Sequence, residues 1–302
     1  GKRRRVEKDS IYLVFEFMNH DLSGLMENPK IRLNEGQVKA FAKQTLEGIL
    51  FCHERSILHR DIKASNMLIS SDGVLKLGDF GLARPCDDDF RPPYTNEVVT
   101  LWYRPPELLL GATNYGPEID MWSIGCLIAE MLIRRPLLPG RNEAEEIEII
   151  TDLLGLPSEE NWPQWRSLKL AHMLKTDVPK RGTFREKLAP LRHEARDLIR
   201  KLLQYNPKSR LSAQAALDHP WFKVGPLPCD SSEMPNVESS HEMTAKKKAK
   251  EQALMAKSSV YGDVARQSNP AQRPRGAPAE NRQHNDGSRP NNASRGHDRP
   301  RY

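Results

Sequence analysis

Two short polar segments of this 302-residue sequence hold residue types that could do chemistry together. The first is HRDIKASN at residues 59–66, and the second is DFG at residues 79–81. Asn66 and Asp79 offer the oxygen ligands that hard cations such as Mg²⁺ prefer. The two segments therefore predict a magnesium site to which both contribute.

Asp61 and Lys63 add proton transfer and a positive charge to the first segment. Asp61 stands one loop turn before Asn66, where its carboxylate could accept the proton of an attacking hydroxyl. Lys63 could reach the oxygens of a phosphoryl group during transfer. A lone Asp-Phe-Gly or His-Arg-Asp is more often an ordinary turn, but all these positions in this order favour phosphoryl transfer from ATP with Mg²⁺.

The elements that must position these residues are visible in the apolar pattern. The runs at 66–69 and 74–77 are joined by Ser-Asp-Gly, and Asp-Gly between apolar runs is a strong hairpin signal. A helix is predicted from Asn34, which forms a capping-box pattern with Gln37. Residues 11–17 (IYLVFEF) are β-branched and aromatic and predict a buried strand.

Further helices are predicted along the chain. Residues 119–133 are apolar nearly all round and predict a helix deep in the core. Amphipathic helical patterns follow at 143–154, 193–203 and 212–217. Many helices with few short strands indicate an α+β domain that is largely helical.

The formal charge of +6 is unevenly distributed. Residues 241–302 carry 13 basic and 6 acidic residues, so the preceding 240 residues sum to about −1. A basic chain ordinarily suggests a nucleic-acid partner, but this distribution argues against a broad basic face on the folded body. No apolar run is long enough to span a membrane, and four scattered cysteines predict reduced thiols in a cytosolic or nuclear protein.

The segments around the hairpin resemble the catalytic and metal-binding signature of protein kinases. Residues 94–107 (YTNEVVTLWYRPPE) closely resemble the activation segment of cyclin-dependent kinases, residues 12–18 (YLVFEFM) their hinge, and residues 120–125 (DMWSIG) their core helix. The resemblance covers about residues 10–223. It implies a protein-kinase fold with a mostly α-helical C-lobe and a serine/threonine kinase activity that uses ATP and Mg²⁺.

The resemblance also implies roles for individual residues. Asp61 is the expected catalytic base, with Lys63 and Thr100 beside it, and Asn66 and Asp79 are the expected magnesium ligands. The residues expected around ATP are the gatekeeper Phe15, the hinge residues Glu16 and Met18, Asp21 near the ribose, and Leu68 beneath the base.

The expected activation phosphosite is Thr95, with Arg60 and Arg84 paired to its phosphate, since arginine geometry matches a phosphate. Val99 and Arg104 are expected to shape a pocket for the proline that follows the phosphorylated residue. Three further positions have implied structural roles: Glu107 paired with Arg210, and Asp120 bracing the catalytic loop.

Within the cyclin-dependent kinases, the sequence most resembles the transcription-elongation class of plant C-type. The supporting text lies at residues 108–120 (LLLGATNYGPEID), 226–230, 238–242 and 246–248. This resemblance implies a nuclear protein that pairs with a T- or K-type cyclin. The implied substrates are Ser-Pro sites in the heptad repeats of RNA polymerase II.

The sequence departs from the kinase pattern before residue 11. No glycine-rich loop and no strand lysine paired to a helix glutamate is found, so most of the N-lobe is expected to be missing. We then expect a hinge strand without sheet partners and weak or absent ATP turnover by this chain. Either the sequence is a fragment of a longer natural protein, or the protein is a truncated product. One alternative function is a catalytically impaired kinase fold that acts as an interaction module. The other is a cyclin-dependent kinase with cell-cycle substrates, since close relatives with other substrates share most of these residues.

Three regions are predicted: a kinase domain at 1–223, a C-terminal extension at 224–257 and a disordered basic tail at 258–302. The tail lacks the large apolar residues that would offset the entropy of ordering. The basic run at 246–250 could be a nuclear import signal. Direct nucleic-acid binding is disfavoured, because the last 62 residues hold only two aromatic side chains for stacking.

Overall fold

A computed structural model describes residues 12–86 and 93–235. The helices in these ranges are α1 (Leu22–Glu27), α2 (Glu35–His53), α3 (Pro106–Leu109), α4 (Glu118–Ile133), α5 (Glu143–Leu154), α6 (Phe184–Lys187), α7 (His193–Leu202) and α8 (Ala213–Leu217). The strands are β1 (His20–Asp21), β2 (Ile57–Leu58), β3 (Met67–Ile69), β4 (Leu75–Leu77) and β5 (Arg84–Pro85). The α+β fold predicted from the sequence is confirmed, and each predicted helix after residue 118 agrees within one residue at either end.

The strands form two small antiparallel sheets. β1, β3 and β4 pair in the order β1-β3-β4, and β2 pairs with β5. Leu68 faces Lys76 across the β3–β4 hairpin, as the Asp-Gly signal predicted. The turn glycine, Gly73, has φ +79°, and a Cβ there would lie 2.7 Å from Met234. Only glycine fits this turn without strain.

Helices α2 and α4 build the core that supports the polar segments at residues 59–66 and 79–81. The predicted capping box opens α2: Gln37 N donates to Asn34 Oδ1 at 2.9 Å, and Asn34 N donates to Gln37 Oε1 at 3.0 Å. In α4, every residue from 119 to 131 is buried, and the helix packs against α2 and α7. A helix apolar on all sides is thus covered on all sides.

The buried strand predicted over residues 11–17 is wrong for the described part, residues 12–17. These residues form no strand and stay exposed, with Phe15 79% and Val14 95% accessible. Glu16 forms an ion pair with Lys76 at 2.5 Å. Strand propensity is realised only where the backbone finds a ladder partner and the side chains a packing surface, and residues 12–17 find neither in the described chain.

The described chain continues past residue 223 and packs back on α2. Lys39 Nζ, which is fully buried, donates to Val224 O and Pro226 O at 2.7 Å each. Gln37 Nε2 donates to Glu233 O at 2.7 Å. The beginning of the predicted extension is therefore part of the folded body. The predicted disordered tail, 258–302, lies outside the described residues, as does the basic run at 246–250.

No helix in residues 12–86 or 93–235 combines the length and hydrophobicity of a membrane span. The described residues contain no disulfide bond.

Candidate active site

The structure brings four of the predicted site residues into one hydrogen-bonded cluster. Asp61 Oδ2 accepts from Lys63 Nζ at 2.8 Å and from Asn66 Nδ2 at 3.0 Å. Asp61 Oδ1 accepts from Thr100 Oγ1 at 2.8 Å, and Lys63 Nζ also donates to Thr100 Oγ1 at 3.2 Å. The catalytic loop and the activation segment, which are far apart in sequence, thus meet at one carboxylate.

This cluster keeps Asp61 ionised. Burial acts to raise the pKa of the Asp61 carboxyl, but hydrogen bonds from Lys63, Thr100 and Asn66 and the Lys63 charge outweigh it, so the pKa lies below its ordinary value. The carboxylate is therefore an acceptor at neutral pH, as a proton-accepting group requires.

Asp120, at the start of α4, holds the backbone of the segment at residues 59–66 through hydrogen bonds. It is fully buried, and its Oδ2 accepts from His59 N at 3.0 Å and its Oδ1 from Arg60 N at 2.9 Å. His53 Nε2 lies 2.9 Å from Oδ2. Arg60 has φ +65°, a left-handed conformation that costs roughly 1–3 kcal/mol unless its surroundings enforce it. The two hydrogen bonds to one carboxylate enforce that conformation.

The hairpin places Asn66 and Asp79 at its two ends. Gly78 N donates to Asn66 O at 2.8 Å, and His59 Nε2 lies 3.0 Å from Gly78 O. Asp79 follows with φ +56°, and its exposed carboxylate accepts from Gly81 N at 3.2 Å. Asn66 and the residue just before Asp79 are thus joined by a backbone hydrogen bond at the open end of the hairpin.

These two side chains fit a Mg²⁺ ion. The Asn66 amide uses Nδ2 for both of its hydrogen bonds to Asp61, which leaves Oδ1 as an oxygen ligand. The Asp79 carboxylate is open to solvent. The described residues contain no cluster of three or more His, Cys, Asp or Glu side chains suited to a metal. Two protein ligands completed by phosphate oxygens and water are typical of magnesium in phosphoryl-transfer sites.

The residues expected around ATP fall into two groups. Asp21 and Leu68 are direct partners in the pairing of β1 with β3. Met18, three residues before Asp21 in the sequence, is buried. Glu16 and Phe15 lie in the exposed segment, and Phe15 packs into no described core. The structure therefore brings Asp21 and Leu68 together, and the expected gatekeeper contact of Phe15 is not formed among the described residues.

Thr95 lies exposed on the activation segment, joined to the catalytic loop through a tyrosine. Its Oγ1 accepts from Glu97 N at 3.1 Å. Tyr115 Oη donates to Thr95 O at 2.8 Å and accepts from Arg60 Nη1 at 2.9 Å. Arg84 donates to Ala83 O at 2.8 Å and makes no contact with Thr95 in the structure. Tyr115 was not predicted from the sequence, where a lone tyrosine 20 residues downstream of Thr95 carries no local signal.

Val99 and Arg104 meet as the resemblance implied. Val99 is buried with φ +65°, which is unusual for a β-branched residue. Arg104 Nε donates to Val99 O at 3.1 Å, and Arg104 Nη1 donates to Glu143 Oε1 at 2.6 Å. Glu143, in the first turn of α5, is a third member of this arrangement that the sequence analysis missed.

A second connection joins α5 to the activation segment. Trp102 Nε1 donates to Gly140 O at 2.8 Å, and Gly140 N donates to Glu146 Oε2 at 2.8 Å. Glu146 is fully buried. Burial raises the pKa of its carboxyl to about 8, although the hydrogen bond from Gly140 and the charge of Arg104 act to lower it.

Glu107 and Arg210 form the predicted ion pair. Arg210 Nη1 and Nη2 donate to Glu107 Oε1 and Oε2 at 2.6 Å each. The side chain of Arg210 is fully buried and that of Glu107 is 5% exposed. Arg210 Nη1 also donates to Glu118 O at 3.0 Å, so the pair ties the end of the activation segment to the start of α4.

Comparisons with known proteins agree with this geometry. The family model described as protein kinase domain matches residues 3–222. Cyclin-dependent kinase C-1 of Oryza sativa subsp. japonica is 48% identical over 241 residues, which cover 80% of this chain and 46% of that protein. The chain spans about half the length of the curated relatives it matches.

Two solved structures are similar in fold. The yeast RNA Pol II CTD kinase CTDK-1 complex has a TM-score of 0.69 and 41% identity over 72% of each chain. A CAK complex from Chaetomium thermophilum bound to ATP-gamma-S has a TM-score of 0.68 and 38% identity, over 73% of this chain and 69% of that one. The chain therefore belongs to the protein kinase domain family, and it resembles the cyclin-dependent members of that family.

Proposed function

We propose that this chain carries the catalytic lobe of a cyclin-dependent serine/threonine protein kinase. The reaction is transfer of the γ-phosphoryl group of ATP to a Ser or Thr hydroxyl that is followed by proline. The observation that carries the proposal is the closed cluster of Asp61, Lys63, Asn66 and Thr100, next to the hairpin that presents Asp79.

The roles within the cluster follow from its hydrogen bonds. Asp61 would accept the proton of the substrate hydroxyl, and Thr100 and Asn66 fix the orientation of its two carboxylate oxygens. Lys63 would neutralise charge on the transferring group while it screens Asp61. Asn66 and Asp79 would hold Mg²⁺, which supplies charge neutralisation of the polyphosphate when it is bound.

A preference for proline follows from the conformation of Val99. Its carbonyl oxygen is occupied by Arg104 Nε, so it is not available to the backbone of a bound peptide. A residue with an N–H group at the next substrate position would lose its hydrogen bond to water without replacement, at a cost of about 1–3 kcal/mol. Proline has no N–H and loses nothing.

Phosphorylation of Thr95 is the proposed activating step. The hydroxyl is exposed to a modifying kinase, and the Arg60 guanidinium lies one side chain away, across Tyr115. A phosphate on Thr95 would attract Arg60 and Arg84, because arginine forks bind phosphate oxygens in pairs.

The proposed partner is a cyclin of T or K type, and the proposed substrates are the heptad repeats of RNA polymerase II during transcription elongation in the nucleus. The plant C-type relative and the similarity to an RNA Pol II CTD kinase complex support this choice.

The test is a phosphorylation assay with the complete polypeptide that carries this chain, purified with its bound cyclin. We expect incorporation of phosphate into a heptad peptide with Ser-Pro sites, and loss of at least about 10³-fold of that rate for Asp61→Asn, since the proposed base is removed. Activity that survives in Asp61→Asn would contradict the proposal. Specific binding of the peptide without any transfer would favour an interaction module instead.

A further inference from the structure

Two adjoining cavities lie between the end of α5, α6 and α7, and neither contains a residue of the proposed active site. Their volumes are about 360 and 340 Å³. Phe184, Arg185 and Arg200 line both cavities, Arg181 lines the first, and Arg196 lines the second. Four arginines therefore line these two adjoining cavities, which together we call the arginine cavity.

The positive charge of the arginine cavity is not neutralised within the described chain. None of the four arginine side chains forms an ion pair or a hydrogen bond within the described residues. Two acids lie at the walls. Asp197 is already paired with Lys201 at 2.7 Å and with His219 at 3.0 Å, and Glu186 is exposed. Among the described residues that line the two cavities, Glu186 is therefore the one carboxylate without an ion pair, against four arginines.

The clustering of arginines around the cavity does not stabilise the folded protein by itself. Arg196 and Arg200 are four residues apart in α7 and therefore lie on the same face of the helix, where like charges destabilise it. His193 lies on that face one turn earlier and lines the same cavity. Neighbouring cations of this kind are stabilised when an anion is bound between them.

The side chains indicate which anion fits. All four cations are arginines, whose planar forks bind phosphate oxygens in pairs, whereas lysine acts as a point charge. The cavity wall also includes apolar surface from Phe184, Leu154 and Leu203, against which neighbouring side chains of a peptide can pack. We propose that the arginine cavity binds a phosphorylated peptide segment of a protein partner, with the phosphoryl group held between Arg185 and Arg200.

Single-stranded nucleic acid fits this surface less well. Such ligands need aromatic side chains on which bases stack, and the aromatic residues here, Phe184 and Tyr205, are 9% and 5% exposed. Glu186 at the rim repels a continuous phosphate backbone. A peptide with one phosphoryl group can bind with that group distant from Glu186.

The test uses fluorescence anisotropy with the 302-residue chain and a labelled peptide that carries one phosphoserine. We expect saturable binding that weakens with added salt, and loss of about tenfold or more in affinity in the variant Arg185→Gln/Arg200→Gln. Both side chains are exposed, so a thermal melt no lower than that of the wild type is the control for folding. Arg166→Gln is the matched control, because Arg166 is an exposed arginine outside the cavity that pairs with Glu159; its affinity should be unchanged.

Equal binding of the unphosphorylated peptide, or an unchanged affinity in the double variant, would overturn the proposal. Tighter binding of a single-stranded RNA that competes with the peptide would overturn it in favour of nucleic acid. The proposal does not depend on the catalytic role of Asp61, so Asp61→Asn should bind the phosphopeptide as the wild type does, even if the protein transfers no phosphate.

Discussion

Two arginine–glutamate pairs hold the activation segment, and they differ in burial. Arg210 and Glu107 make a bidentate pair with side chains 0% and 5% exposed. Arg104 and Glu143 make a single contact at 2.6 Å, with side chains 15% and 44% exposed. The first pair ties the end of the segment to α4, and the second supports the backbone turn at Val99.

The difference in burial implies that one pair contributes mainly to the stability of the fold and that the other mainly positions the backbone near Val99. Removing one partner of a buried pair leaves a charge without water or counter-ion, which is strongly destabilising. Water can replace a lost partner in a half-exposed pair, so its stability contribution is small. We therefore infer that the Glu107 pair maintains the fold, and that the Glu143 pair fixes the geometry of the proposed proline pocket.

The largest expected effect is on the buried pair. Arg210→Ala should lower the free energy of unfolding by about 3–5 kcal/mol, because Glu107 remains buried and unpaired. Urea unfolding followed by circular dichroism measures this change. Arg166→Ala, at an exposed pair, should cost less than about 1 kcal/mol. Similar losses of unfolding free energy in the two variants would contradict the inference that burial determines how much an ion pair contributes to stability.

Glu146 in α5 extends the comparison to a buried glutamate that has no ion pair with any cation in residues 12–86 and 93–235. Its pKa is raised from the unfolded value to about 8, so the folded state holds a proton that the unfolded state releases between about pH 4.5 and 8. Its contribution to stability is therefore fully present below the unfolded pKa and falls as the pH rises to about 8.

Glu146→Gln should remove this contribution to the pH dependence. The variant should gain stability relative to wild type as the pH is raised from 5 to 8, which thermal melts at several pH values will measure. A constant difference between variant and wild type across that range would show that Glu146 titrates normally.

The smallest expected change in stability is at the half-exposed pair. Glu143→Ala should alter the free energy of unfolding by less than about 1 kcal/mol. Glu145→Ala is the matched control: both acids lie in the first turn of α5, so both variants lose a similar interaction with the helix dipole. Glu145 pairs with the exposed Arg141 and not with Arg104. If Glu143→Ala lowered the free energy of unfolding by several kcal/mol and Glu145→Ala did not, the Glu143–Arg104 pair would contribute to stability as the buried pair does.

The parts of the molecule that could be predicted from the sequence have local signals. The capping box of Asn34, the Asp-Gly turn of the hairpin and the spacing from Asp61 to Asn66 each lie within a few residues. Local hydrogen bonds and turn preferences determine such features, and the structure places these elements where they were expected.

The features that were missed depend on contacts between distant segments. The link from Glu143 to Arg104 crosses 39 residues, and that from Tyr115 to Arg60 crosses 55; no spacing rule indicates either. The strand prediction for residues 12–17 was wrong for a different reason. The β-branched and aromatic residues there favour a strand, but a strand forms only where the backbone finds a pairing partner. Burial of a polar network and pairing of a strand are properties of the fold and not of the local sequence.

The most direct test of the proposed function is the ratio of phosphorylation rates on matched Ser-Pro and Ser-Ala peptides by the complete polypeptide with its cyclin. We expect the wild type and Glu145→Ala to prefer Ser-Pro by roughly 5- to 150-fold, the equivalent of one unsatisfied N–H group. Glu143→Ala should reduce that ratio by up to about fivefold, because Arg104 loses its support. Equal rates on the two peptides in the wild type would contradict the account of a proline-directed kinase.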